Sequence, residues 1–178
     1  MGMRLSKIAV GLIGFLVLTI QGCGGGGGGT SGGGATTKTA TIIFTSQDTV
    51  TPSQTLGGFD LTLDLSALPA GAQIATDSTG LAPLASAVFL SGAFASATLN
   101  TYTVNTYDST SRVLTVKYPG TDSYALGQFL TVKVTVPISY TPNLADINGH
   151  YTTTFYDPFN GIQGGNVLSS VTASVTFN

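Results

Sequence analysis

Gly58-Phe59-Asp60-Leu61-Thr62-Leu63-Asp64-Leu65 alternates apolar and polar side chains without a break. Successive residues of a strand point to opposite faces. Phe59, Leu61, Leu63 and Leu65 therefore line one face, and Asp60, Thr62 and Asp64 line the other. One buried face and one wet face is the mark of a strand in an antiparallel sheet. Leu68-Pro69-Ala70-Gly71 then ends it, since proline donates no ladder hydrogen bond and glycine favours a turn.

The same period recurs on both sides of this stretch. Residues 39–45 read as a first strand. Residues 99–107 and 112–118 flank Asp108-Ser109-Thr110-Ser111, a polar hairpin turn, and Pro119-Gly120 closes that unit. In residues 129–136, Leu130, Val132, Val134 and Val136 oppose Thr131, Lys133 and Thr135. Residues 152–156 lead to a turn containing Asn160-Gly161, and Val171, Ala173, Val175 and Phe177 share one face of a last strand. The Ala-rich residues 82–97 are broken by Pro83 and Gly92, and read as loop plus a short strand at 88–90. Eight or nine short strands separated by turn signals predict an all-β, two-sheet sandwich over residues 39–178.

Composition agrees. The chain of 178 residues has abundant glycine and threonine, eight aspartates and no glutamate. Beyond the first 22 residues, Lys38, Arg112, Lys117 and Lys133 face those eight aspartates, a net charge near −4. So few cations on a mildly acidic surface argue against a nucleic-acid partner.

The front end is organised differently. Arg4 and Lys7 precede an apolar run from Ile8 to Ile20, too short to span a bilayer as a helix, which needs roughly 20 residues. Ile20-Gln21-Gly22-Cys23 follows, and Cys23 is the only cysteine. This layout resembles a bacterial lipoprotein precursor. The resemblance implies that residues 1–22 are a signal peptide and that cleavage leaves Cys23 acylated as a membrane anchor. Gly24 in place of an aspartate implies the outer membrane or cell surface. Residues 23–38 then serve as anchor and Gly-rich tether, with a mean reach of about 20 Å. Two motif matches in the tether, Gly29-Thr30-Ser31-Gly32-Gly33 and the polyglycine itself, lack the flanking strand and helix that a nucleophile elbow or phosphate loop requires.

Residues 56–65 with Leu68-Pro69-Ala70-Gly71 resemble the opening strand of cohesin-like domains. Leu126-Gly127-Gln128-Phe129-Leu130-Thr131-Val132 is similar to a later strand of that family. Residues 155–162 are similar to its closing turn. The resemblance implies a nine-stranded jelly roll of the kind shared with carbohydrate-binding modules. It also implies a protein partner of the dockerin type, held by one sheet face and adjoining loops. No binding residue is carried over.

The residues that carry chemistry are few. His150, the only histidine, lies in a polar Asn-Gly-His-Tyr loop with Asp146 and Asp157 as its nearest acids in sequence, and reads as a solvated turn residue. Asp146-Ile147-Asn148-Gly149 reaches its glycine too early for a calcium loop and reads as an Asx-type turn; Asp122 and Asp157 lie in other loops. Asp60 and Asp64 on one strand face would be roughly 13 Å apart, beyond a glycosidase carboxylate pair. Without a Cys–His pair, zinc-ligand spacing or a triad, the expectation is a non-enzyme with no catalytic residue, cofactor or metal. Tyr102, Tyr107, Tyr118, Tyr124, Tyr140, Tyr151 and Tyr156 are the remaining candidates, as a sugar-stacking platform, a protein hot spot or plain packing.

The functional expectation is a non-catalytic envelope lipoprotein whose cohesin-like module binds another protein in adhesion or assembly. The alternatives are a carbohydrate-binding module attached to polysaccharide and a structural envelope protein. Tyrosines aligned on one face would favour sugar, and a broad apolar patch rimmed by polar residues would favour a protein.

Overall fold

The computed structural model describes residues 35–48, 50, 54–97, 104–120, 122–158 and 166–178. Cys23, the signal and tether residues up to 34, Tyr102 and the Asn160-Gly161 turn lie outside the described residues.

The described chain is all-β. In order it forms β1 (Thr37–Asp48), β2 (Thr55–Leu56), β3 (Gly58–Asp64), β4 (Val88–Leu90), β5 (Val104–Asp108), β6 (Val113–Tyr118), β7 (Tyr124–Ala125), β8 (Gln128–Pro137), β9 (Tyr151–Tyr156) and β10 (Val171–Phe177). One antiparallel sheet has the order β10-β1-β8-β4, a second has the order β5-β6-β3-β9, and β2 pairs with β7. In β3 the expected alternation is present. Phe59, Leu61, Leu63 and Leu65 are at most 1% exposed, so that face of β3 is core, while Thr62 is exposed and Asp60 and Asp64 are half-buried.

The inner faces of the two four-stranded sheets meet in an aromatic centre. Phe129 of β8 lies 4.7 Å from Phe59 on β3 and 5.2 Å from Phe155 on β9, both near edge-to-face, and 6.2 Å from Phe44 on β1. Edge-to-face rings align the positive edge of one quadrupole with the negative face of the next, so they fix orientation as well as burying area. Phe129 reaches this centre through a β-bulge. Phe44 pairs with Leu130 and Thr45 with Gln128, leaving Phe129 without a partner on β1. The extra residue breaks the period of two and turns both Phe129 and Leu130 inward. On the outer side of the bulge, Gln128 Nε2 donates to Ser91 Oγ and Thr131 Oγ1, so these buried polar groups are satisfied.

A short 3-10 turn at Gly92–Phe94 follows β4 and sends Phe94 into the core, where it stacks on Tyr124 at 4.2 Å. Backbones also approach closely where β3 begins. A Cβ on Gly58 would run into the Tyr118 carbonyl, and one on Gly120 into the Gly57 carbonyl. The Gly57-Gly58 and Pro119-Gly120 pairs thus let β3 and the end of β6 meet without side chains between them.

Candidate functional site

Register turns scattered residues of the second sheet into an ordered outer surface. The Cα pairs Thr106–Thr115, Thr115–Thr62 and Thr62–Thr152 place four threonines in one row across β5, β6, β3 and β9. The next row runs Val104, Lys117, Asp60, Thr154, and the row on the other side runs Asp108, Val113, Asp64. Neighbouring strands are about 4.8 Å apart and residues two apart along a strand about 6.7 Å, so these side chains form a regular grid. A single residue slip in any strand would send its members to the core face.

The ionic groups of this face are unevenly placed. Lys117 Nζ lies 3.3 Å from Asp60 Oδ2, a half-exposed ion pair, and Tyr156 donates its hydroxyl to the same oxygen at 3.3 Å. Tyr156 pairs with Gly58 on one side and bridges to Val167 on the other. Burial and the Asp60 charge raise the Tyr156 phenol above its ordinary value. At the hairpin end, Asp108 accepts from the Thr110 N–H at 2.8 Å and from the Ser111 hydroxyl at 2.7 Å, and these bonds hold its carboxyl below the usual range. Asp64 is lowered chiefly by the Ser66 N–H, with smaller help from His150 and Arg112.

Arg112 commits guanidinium donors to the backbone. Its backbone takes φ +59° after the Asp108–Ser111 turn, and its guanidinium donates to the carbonyls of Leu65, Leu68 and Pro69. Nothing in the sequence pattern marks that use, because an arginine beside a turn ordinarily reads as solvated.

Beside β5 the face dips into an open depression of about 390 Å³, lined by Leu81, Thr106, Tyr107, Asp108, Ser111, Val113 and Thr115. Leu81 is 64% exposed, and its carbonyl accepts from the Tyr107 N–H, which ties its loop to the sheet edge.

The other sequence candidates separate. His150 is near Asp64, where its carbonyl accepts the Asp64 N–H at 2.8 Å. Asp146 instead accepts from the Tyr140 hydroxyl at 2.5 Å, and Asp157 Oδ2 from Asn166 at 3.1 Å. Asp122 accepts from Tyr124 at 3.2 Å. Asn143 caps the short 3-10 turn Leu144–Asp146 through the Ala145 N–H, so this segment is a capped turn. Among the described residues no three His, Cys, Asp or Glu side chains converge as a metal site. The described tyrosines do not align. Among them Tyr107, Tyr118 and Tyr124 are buried, Tyr151 bonds the Ala173 carbonyl of β10, Tyr140 packs near Phe177, and Tyr156 joins the outer grid described above. Beyond the outward set of β3, that grid was not visible in the sequence. Its members come from four separated segments, and only the register unites them.

No protein-family model matches this chain, and neither a curated protein nor a solved structure matches it.

Proposed function

We propose that this protein is a non-catalytic cell-envelope lipoprotein, anchored through Cys23 to the outer membrane or cell surface. Its cohesin-like module holds a protein partner on the outer face of the β5-β6-β3-β9 sheet. The observation that carries this reading is the contrast between that face and the tyrosines. Three of the candidate tyrosines for a sugar-stacking platform are buried, while the outer face offers a hydroxyl grid with an apolar depression at its rim. An apolar anchor point with hydroxyl and charged groups beside it is a combination that protein interfaces use. The resemblance of residues 56–71, 126–132 and 155–162 to cohesin-like domains supports the same reading, as does the sandwich of two facing sheets.

A pull-down from the source cell's envelope with the detergent-solubilised full chain, beside a panel of polysaccharides, tests the partner class. Specific capture of one protein is expected. Retention on a glycan with no protein captured would replace this reading with a carbohydrate-binding module. The anchor is tested separately. Cys23→Ala is expected to lose membrane partition and the processed, acylated mass, and a variant that kept both would refute the anchor.

A further inference from the structure

Resting on that reading, we infer that the depression between Leu81 and Val113 is the anchor point of the interface, taking an aliphatic side chain that the partner presents beside a lysine or arginine. Leu81 and Val113 supply an apolar wall, and the methyl groups of Thr106 and Thr115 belong to the same lining. The depression is open, so it suits a side chain carried on a partner's surface and not an enclosed small molecule. Leu81 stands 64% exposed although its loop is tied to β5, and covering it would remove a large apolar side chain from water.

Charge decides what accompanies the aliphatic group. Asp108 lies in the lining and Asp64 in the same row across the sheet, two strands away. Asp108 is the one charged side chain of the lining. Lys117 is paired with Asp60, and the charge of Arg112, whose guanidinium bonds three backbone carbonyls, acts on Asp64. The depression itself is therefore anionic, and a cation on the partner meets a complementary potential. A carboxylate in the same position would be repelled, which gives the site a sign preference as well as a shape.

The test is a random-peptide display selection against the immobilised full chain, with the enriched peptides measured on substituted chains. Leu81→Ser changes an exposed side chain, and Asp108→Asn keeps the turn acceptor while removing the charge. The expected result is enrichment of Leu or Ile flanked by Lys or Arg. Affinity should fall roughly tenfold for Leu81→Ser and about two- to fivefold for Asp108→Asn. Peptides blocked by Thr62→Arg but indifferent to Leu81→Ser and Asp108→Asn would overturn the anchor and leave the face intact. Peptides indifferent to all three substitutions would overturn both, and enrichment of acidic sequences, or of none, would overturn the anchor.

Discussion

On the inner side of β3, Phe59, Leu61 and Leu63 are almost wholly buried against rings and aliphatic chains of the facing sheet. On the outer side of the same seven residues, Asp60 and Thr62 meet charged and hydroxyl groups of their own sheet, and Asp64 meets Val113 and the Ser66 N–H. The inner set draws its stability from area removed from water and from ring packing. The outer set forms cross-strand pairs worth a few tenths of a kcal/mol to about 1 kcal/mol each. Folding therefore constrains the inner residues strongly and leaves the outer ones open to serve binding.

The sharpest way to break this contrast is to truncate the aromatic centre. Phe59→Ala removes a ring packed against Phe94, Tyr118 and Phe129, and is expected to cost about 3–5 kcal/mol, read from denaturant unfolding. A cost below about 1 kcal/mol would show that the two sheets do not meet there. Gly58→Ala comes next. The added methyl meets the Tyr118 carbonyl, and the backbone shift it forces is expected to cost about 1–3 kcal/mol. Arg112→Ala should follow at about 1–3 kcal/mol, because the carbonyls of Leu65 and Leu68 lose a charged donor.

Alkali sharpens the comparison from another side. Burial first, and then the hydrogen bond to Asp146, pushes the Tyr140 phenol up to about 12. A pKa raised in the folded state means stability that is complete below the unfolded value of about 10 and is lost as pH rises through the folded one. Stability is thus expected to decline between about pH 10 and pH 12, and Tyr140→Phe should flatten that decline. The smallest effect belongs to the outer face, where Thr62→Ala should change stability by no more than about 0.5 kcal/mol.

Much of the inner architecture was legible in the sequence, because period-two alternation reports burial directly. β3, β6, β8 and the short β4 lie where the pattern puts them. The bulge at Phe129 was not legible, since an inserted residue looks like one more member of an apolar run. Nor was the burial of Phe94, which depends on a single 3-10 turn in an Ala-rich stretch. Two-residue strands such as β2 and β7 are too short to show a period. At the candidate site, the outward positions of Thr62, Asp60 and Lys117 follow from alternation. The hydroxyl row does not, because residues 62 and 152 join the 106–115 hairpin pair only through long-range pairing.

The central claim is that the outer face of the β5-β6-β3-β9 sheet holds the partner. Envelope pull-downs with two full-length variants test it most directly: Thr62→Arg at the middle of that grid, and Thr39→Arg on an exposed outer position of β1 in the other sheet. With both variants melting like the parent chain, Thr62→Arg should abolish capture of the partner and Thr39→Arg should preserve it. Capture that survives Thr62→Arg, or fails only with Thr39→Arg, would contradict the claim.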